Sequence, residues 1–162
     1  MTNGSQVGKV ASIHLHPAIS GDPLQAVDEI RAEAGQGIVG DARFFGRKDR
    51  KGEPARRQIS LIAREQIAQH AATLGLAAIA PGAVRANIET AGIDLMSLLG
   101  QQVQVGGAVL LFYEARTPCG RMDQVAPGLR VLMENGRQGV MAQIVRSGDI
   151  RVGDEILAVS HD

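Results

Sequence analysis

The chain has few aromatic residues, with no tryptophan, one tyrosine and three phenylalanines among its 162 residues. Its core must therefore be built from alanine, valine, isoleucine and leucine. Proteins that bind single-stranded nucleic acids stack the bases on aromatic side chains. The composition therefore argues against a nucleic acid polymer as the ligand.

The chain also lacks an excess of charge and a long apolar run. Seventeen basic residues balance seventeen acidic ones, so the net charge gives no indication of nucleic acid or an acidic membrane surface as a partner. No apolar run is long enough to span a bilayer, and the start of the sequence has no apolar segment of a secretory signal. We expect a cytoplasmic protein that does not bind a membrane.

Cysteine occurs once, at position 119. A single cysteine excludes an intramolecular disulfide framework and is typical of a reducing compartment. The length fits one ordinary domain with a real core. We predict a single domain over residues 7–159, between a flexible N-terminus (1–6) and a tail (160–162).

The sequence around Cys119 predicts the junction of a strand and a helix. The run Val109–Tyr113 is apolar and partly aromatic, as is usual in a buried strand. Thr117 can cap a helix whose first residue is Pro118, a position where the missing N–H costs nothing. This assignment places Cys119 in the first helical turn, close to free backbone N–H groups.

Two arginines, Arg116 and Arg121, flank Cys119. Two guanidinium groups and the positive end of a helix dipole would together stabilise a thiolate. Cys119 is therefore a candidate soft ligand or sulfur nucleophile. A lone cysteine is more often a small buried hydrophobe, and the local sequence leaves both interpretations open.

Positive charge is concentrated between Arg43 and Arg57, where seven basic residues stand against two acidic ones. The segment is long, polar and without periodicity, which predicts a mobile surface loop. Such a loop can close over an anion such as a phosphate, because arginine supplies paired donors. It can equally be a solvated loop with incidental charge, and the composition does not separate the two.

Polar residues in two further segments could face a ligand. A glycine-rich stretch ends at Asp41, which can accept hydrogen bonds at a bend, although most Gly-Asp pairs are turns. Residues 82–90 predict a strand whose alternation places Arg85, Asn87 and Glu89 on one side. This row could line a cleft for a polar ligand or face solvent.

Two histidines, His14 and His16, stand at the end of the first predicted strand, Val7–Leu15. Two positions apart, their side chains would share one face of the strand, which is conceivable for a metal pair. No third ligand suggests itself, so we interpret the pair as a strand end that runs into a loop at Pro17.

The remaining patterns predict a β-barrel decorated with helices. Residues 103–109 and 150–156 share a pattern of valine, glycine and apolar positions that is typical of a strand, a tight turn and a strand. We expect seven to nine strands and three or four short helices. The other predicted strands cover 7–15, 26–34, 58–62, 82–90, 139–146 and 154–159, and the predicted helices include 64–74, 94–100 and 127–135.

Several short motifs, taken in order, resemble the MOSC domain, the family named for the C-terminal domain of molybdenum-cofactor sulfurases. The likeness spans about residues 9–159, and the Pro-Cys-x-Arg sequence is at its centre. The matching segments are Gly37–Asp41, Gln58–Ile62, Pro81–Ile88, Gly92–Leu95, Leu98–Gly100, Arg116–Arg121 and Ser147–Asp154.

The resemblance implies an α+β fold that is mainly β, a closed or partly closed mixed β-barrel like the inserted barrel domain of pyruvate kinase. It also implies a cleft for a molybdopterin-type molybdenum cofactor and a functional cysteine. In sulfurases this cysteine is thought to carry sulfur as a persulfide. In related reductases of N-hydroxylated compounds, which single-domain bacterial members resemble, it ligates molybdenum.

Carried over to this sequence, the resemblance implies a molybdenum-dependent oxidoreductase or a sulfur-transfer protein. Cys119 is then the metal ligand or the sulfur carrier. The residues expected to bind the cofactor are Asn87, Arg85, Asp41, Arg116, Arg121, Arg56, Arg57 and Gln58.

The chain departs from the family in two respects. Many single-domain members have histidine just after the Gly-Asp pair, where this chain has Phe44 and Phe45. The chain also lacks the pyridoxal-phosphate domain of full-length sulfurases, so we expect no pyridoxal phosphate here. A sulfur-donor protein or an electron-donor protein must then act in trans, with a small molecule as substrate.

The sequence is also compatible with two other functions. The first is a carrier without catalytic activity that binds the cofactor and delivers it to a molybdoenzyme. The second is a thiol redox sensor, in which Cys119 is oxidised and nothing else binds.

Overall fold

The computed structural model describes residues 7–159, so the predicted N-terminus (1–6) and tail (160–162) lie outside the described residues. Within these described residues, eleven strands, three α-helices and one turn of 3₁₀ helix (Met96–Leu98) make the fold mainly β. The elements are β1 (Val7–Leu15), β2 (Gln25–Val27), β3 (Glu29–Glu33), β4 (Gly37–Ile38), β5 (Ile59–Ala63), α1 (Arg64–Thr73), β6 (Ile88–Ala91), β7 (Gln102–Val105), β8 (Ala108–Ala115), α2 (Arg121–Val125), α3 (Leu129–Leu132), β9 (Val140–Arg146), β10 (Gly148–Arg151) and β11 (Glu155–Ala158).

Seven strands close into a mixed barrel in the order β11, β7, β8, β9, β5, β6 and β1, with β1 pairing back onto β11. Neighbours in this ring are antiparallel except β5 and β6. Parallel neighbours need a crossover connection, and α1 lies in the connection between these two strands. The mixed β-barrel expected from the sequence is confirmed.

The predicted strand 26–34 is in fact two strands that belong to different sheets. β2 pairs with the end of β1 as an extra strand of the barrel sheet, whereas β3 lies between β10 and β4 in a three-stranded sheet. The break falls at Asp28, whose carbonyl accepts a hydrogen bond from the backbone N–H of Val152. One continuous strand could not serve both sheets.

Aliphatic side chains fill the barrel, as the composition predicted. Phe112 is the only aromatic residue among the buried residues of this cluster. A second cluster lies outside the barrel and packs the helices against β5. Alternation along β5 sends Leu61 into the barrel and Ile62 into the outer cluster. The buried members of the outer cluster are Ile62, Ile67, Val84, Ala86, Met122, Ala126, Leu129 and Met133.

The helices are in part shorter than predicted. α1 ends one residue before the predicted bound, but the segment 127–135 contains only the four-residue helix α3, and 94–100 contains a single 3₁₀ turn. Within residues 7–159, no helix is both long and apolar enough to cross a membrane.

Candidate functional site

A cavity of about 280 Å³ opens beside Cys119. Residues that follow β1 and β8 form part of its wall, as do residues of β5, β9 and α2 and both ends of the basic segment. The site is therefore assembled from parts of the chain that are far apart in sequence, and the closed barrel brings them together.

The wall of this cavity is strongly cationic. None of the described residues that line it is an aspartate or a glutamate. Positive groups that converge in a partly enclosed space create a potential that attracts anions. The five arginines that line the cavity are Arg43, Arg57, Arg85, Arg116 and Arg121.

Cys119 lies before the helix rather than in its first turn, which corrects the sequence-based prediction. α2 begins at Arg121, and no side-chain hydrogen bond caps it. Upstream, the backbone N–H of Arg116 donates to the carbonyl of Gly139 (2.9 Å), so tertiary contacts hold the chain where we predicted a helix start. Cys119 itself is exposed and lines the cavity, so it is not a small buried hydrophobe.

Arg116 is the most firmly held of the five arginines. Its guanidinium donates to the carbonyls of Gln138 and Val84, each at 3.2 Å. Loss of water around the group, followed by the positive charge of Arg57, lowers the pKa of Arg116 to about 10, and the neighbouring Cys119 acts in the opposite direction. Arg116 therefore remains a fixed positive charge at neutral pH.

Arg85 adopts an uncommon backbone conformation with φ of +66°. Its N–H donates to the carbonyl of Gly82 (3.0 Å) in a turn. The prediction of a strand over residues 82–90 is therefore wrong for its first half, and the observed strand begins at Ile88. A non-glycine residue in this region costs about 1–3 kcal/mol and persists where surrounding contacts hold it. Here the Nε2 atom of His16 donates to the carbonyl of Arg85 (3.1 Å).

The side chain of Arg85 lies in the cavity wall and donates to the carbonyl of Asp22 at 2.9 Å. Burial is the main cause that lowers the pKa of Arg85, and the positive charges of Arg121 and Arg43 act in the same direction. These positive charges repel one another because they lie around the same cavity. An anion in the cavity would be attracted by all of them.

Asp41 is the centre of a buried network behind the wall and is 2% exposed. Its Oδ2 accepts hydrogen bonds from the backbone N–H of His16 (3.0 Å), from Nδ1 of His16 (2.8 Å) and from Nδ2 of Asn87 (2.9 Å). Its Oδ1 accepts from the backbone N–H groups of Arg43 and Phe44. Burial alone would raise the pKa of Asp41, but these hydrogen bonds outweigh it and the pKa lies below 3.8.

Asn87 joins this network to β5 and β1. Its Oδ1 accepts from the backbone N–H and the hydroxyl of Ser60 (3.0 and 3.2 Å), and its Nδ2 also donates to the carbonyl of His14 (3.0 Å). The side chain is completely buried. Asn87 therefore fixes the frame on which the cavity wall is built.

The basic segment, which we predicted to be a mobile surface loop, is a loop that is folded on itself. The Oδ1 atom of Asp49 accepts from the backbone N–H groups of Lys51 and Glu53 (2.8 and 3.0 Å). Lys48 and Pro54 form an isolated β-bridge. Because the side chain of one acidic residue closes the turn, the ends of the segment are brought together at the cavity.

Phe44 organises these two ends. The guanidinium carbons of Arg43 and Arg57 lie 5.7 and 5.9 Å from the centre of its ring, within the range of cation–π attraction. The ring of His16 meets it edge-on at 5.1 Å between centroids. One buried aromatic side chain thus contacts three residues of the wall.

Sequence and structure comparisons agree with this architecture. The sequence model of the MOSC domain family matches residues 14–157, nearly the whole chain. The chain belongs to the MOSC domain family. No match was found among curated proteins.

Solved structures of similar fold include the YuaD protein from Bacillus subtilis, with 24% identity, a TM-score of 0.79 and coverage of 96% of this chain and 97% of that chain. YiiM from Escherichia coli is 19% identical, with a TM-score of 0.63 and coverage of 98% and 71%. YiiM from Geobacillus stearothermophilus is 15% identical, with a TM-score of 0.68 and coverage of 94% and 75%. At these identities the similarity shows the shared fold alone.

The structure of this MOSC domain divides the predicted site residues into two groups. Asp41, Asn87 and Gln58 are buried behind the wall and do not line the cavity, and Arg56 lies over the ring of Tyr113 at 4.2 Å. The predicted residues that do line the cavity together are Cys119, Arg57, Arg85, Arg116 and Arg121.

His16, Phe44 and Gln138 are three of the residues of the MOSC cavity that the sequence-based prediction of its site did not include. The sequence pattern indicates a strand end at His16, yet both of its ring nitrogens are hydrogen-bonded in the wall. Phe44 stands in the sequence where many members of the family have histidine, and this departure from the family pattern could have indicated a residue of the site. Gln138 lies outside every motif, so no sequence pattern could have indicated it.

Proposed function

We propose that this MOSC protein binds a molybdopterin-type molybdenum cofactor in the arginine-lined cavity and uses it to reduce N-hydroxylated compounds. Cys119 is the proposed ligand of the metal. One observation carries the proposal: an exposed thiol opens into a cavity with five arginines and, among the described lining residues, no carboxylate.

The residues of the cavity fit such a group in two respects. The side chains of Arg57 and Arg121 make no hydrogen bond to protein atoms within the described part of the chain, so their donors are available to a phosphate. The thiolate of Cys119 is a soft donor, which suits molybdenum. The anionic and the soft parts of the cofactor therefore each have partners.

In this proposal the protein binds and orients, while the bound cofactor supplies the redox chemistry. Arg116 holds a fixed positive charge against the ligand because two backbone carbonyls secure its guanidinium. Both ring nitrogens of His16 are occupied by internal partners, Asp41 and the carbonyl of Arg85. We therefore assign His16 to shaping the wall and not to moving a proton.

A second candidate function is sulfur transfer, with Cys119 as a persulfide carrier. The exposure of its thiol favours it, because thiol exchange with a donor protein requires access to the sulfur. An electron-donor protein in the first case, or a sulfur-donor protein in the second, is proposed to act in trans.

The test uses the whole chain purified from molybdenum-replete cells. Molybdenum and pterin are quantified by mass spectrometry, the intact mass shows whether a sulfur atom has been added, and reduction of a hydroxylamino-purine is assayed with a supplied electron donor. We expect molybdenum and pterin to be retained by the wild type, and both retention and reduction to fall in Cys119→Ser. Absence of molybdenum and pterin would contradict the proposal, and an added sulfur atom on Cys119 would favour sulfur transfer.

A further inference from the structure

Two buried glutamines lie beside the cavity, and their amides differ in how they are satisfied. Gln58 is 1% exposed, and its Oε1 accepts from the backbone N–H of Ile144 (2.7 Å) while its Nε2 donates to the carbonyl of Ala55 (2.8 Å). Gln138 is 3% exposed and lines the cavity, but its Oε1 is buried with no hydrogen-bond partner among the described residues.

The main chain around Gln138 is held on both sides. Its carbonyl accepts from Arg116 (3.2 Å), and Nε2 of His70 donates to the carbonyl of the preceding residue (2.8 Å). Gly139, which follows, has φ of +83° and lies so close to the carbonyl of Leu61 that a side chain there would collide with it. Gln138 therefore cannot find a partner through a shift of its backbone.

A buried polar atom without a partner destabilises the protein, and native structures contain few of them. The oxygen is itself turned away from solvent, but the carboxamide lines a ligand cavity, so a ligand can supply a partner to whichever of its two polar atoms turns toward the cavity. The terminal torsion of a carboxamide is soft, and a half-turn exchanges its oxygen and its nitrogen. Gln138 can thus present either an acceptor or a donor without any change in the main chain.

We propose that Gln138 recognises the neutral polar edge of the ligand by accepting a hydrogen bond from its N–H group, while the arginines hold its anionic group. This inference rests on the proposed function, and it makes Gln138 a specificity-determining residue. A phosphorylated pterin has both features, a phosphate on its side chain and N–H donors on the edge of its ring. Asp41, which we expected to bind the cofactor, is already occupied by five internal donors.

The experiment compares two probes, a pterin monophosphate and inorganic phosphate, by calorimetric titration of the full chain. We expect Gln138→Leu to weaken binding of the pterin monophosphate about tenfold and to leave binding of phosphate unchanged. Arg57→Met should weaken both. Gln138→Met is a second variant that retains an unbranched side chain in case the leucine packs poorly.

Unfolding in urea supplies an independent readout that a purely structural role would not produce. Gln138→Leu removes an unpaired buried acceptor, so its unfolding midpoint should rise as its affinity for the pterin falls. The matched control is Gln58→Leu, which breaks two hydrogen bonds and should lower the midpoint.

The outcomes separate this inference from the proposed function. Unchanged affinity of both Gln138 variants for the pterin monophosphate would overturn the inference and leave the proposed function standing. An equal loss for both probes, or a lowered unfolding midpoint in both variants, would show that Gln138 acts through the structure, and would also overturn it. A wild-type protein that binds inorganic phosphate but not the pterin monophosphate, or that binds neither, would overturn both proposals.

Discussion

The arginine wall and the polar network behind it are neighbours in sequence but differ in how far the protein itself satisfies their hydrogen bonds. The buried network is satisfied by the protein itself, whereas the wall retains donors that face the cavity. In three places a buried polar residue lies one or two positions from an arginine of the wall: Asp41 and Arg43, Gln58 and Arg57, and Asn87 and Arg85.

This proximity explains how a cluster of like charges can be held in one place. The carboxylate of Asp41 accepts from the backbone N–H of Arg43. A buried group of the network therefore positions the backbone of an arginine of the wall. A binding site needs such support, because side chains that repel each other do not arrange themselves. We therefore expect substitutions in the network to affect folding, and substitutions in the wall to affect binding.

The largest effect is expected for Asn87→Ala, which belongs to the network. The substitution removes partners from Ser60 and Asp41, both of which are buried, so the free energy of unfolding should fall by about 3 kcal/mol. Urea denaturation measures this loss. Arg121→Met, in the wall, is the control and should change stability by no more than about 0.5 kcal/mol. Equal losses in the two variants would remove the distinction between network and wall.

Cys119→Ser is expected to have the next largest effect, and only on function. Loss of a metal ligand should reduce molybdenum content and the reductase rate about a hundredfold or more. Because the thiol is exposed, the urea midpoint should stay that of the wild type. Thr117→Ala, which alters another residue of the same cavity, should retain most of the molybdenum. A fully active Cys119→Ser variant would exclude this thiol from the chemistry.

Two adjacent arginines sharpen the comparison further. Arg57→Met should weaken cofactor binding about tenfold, since a hydrogen bond to a charged group is lost from the wall. Arg56→Met should leave binding unchanged, because the guanidinium of Arg56 lies over the ring of Tyr113 and not in the cavity. Cofactor retention after gel filtration provides the measurement. If both variants lose the cofactor equally, the cavity wall extends beyond the residues that we assign to it.

The smallest expected effect is a pH dependence of stability that is due to the buried residue His14. Burial lowers the pKa of His14 below 6.5, with Arg64 acting in the same direction and Glu89 opposing it. The unfolded chain therefore takes up a proton at a higher pH than the folded protein. Stability should fall as the pH falls below about 6.5, by at most about 1.4 kcal/mol per pH unit from this group.

Urea unfolding at about pH 7.5 and about pH 5.5 measures this dependence. The variant His14→Gln should lose less stability over this interval than the wild type, whereas Arg121→Met should lose as much as the wild type. If the stability of His14→Gln falls with pH as steeply as that of the wild type, the pH dependence comes from other groups.

Local sequence patterns were sufficient for the elements that depend on successive residues. The strand β1, the turn between β7 and β8, and the helix α1 were predicted with bounds correct to within a residue or two. Alternation, a turn glycine and an apolar helical stripe are properties of neighbouring residues, so they can be read without knowledge of the fold. The same is true of the basic character around Cys119.

The same patterns were misleading where a tertiary contact overrides local preference. Thr117 and Pro118 have the chemistry of a helix start, yet a hydrogen bond between Arg116 and Gly139 holds the chain there. The segment containing Arg85 alternates like a strand, yet the turn from Gly82 and a contact with His16 impose a left-handed residue. In both places a partner far along the chain decides the backbone.

By itself the sequence determined a small aliphatic barrel with a cysteine between two arginines, because those features are set by composition and by adjacent residues. The tertiary structure alone decided which polar groups are satisfied and which are left for a ligand. His16 finds Asp41 across 25 positions and Arg85 across 69, and Gln138 finds no partner for its oxygen among the described residues. Hydrogen bonding of buried groups depends on distances in space, and only the closed barrel establishes those distances.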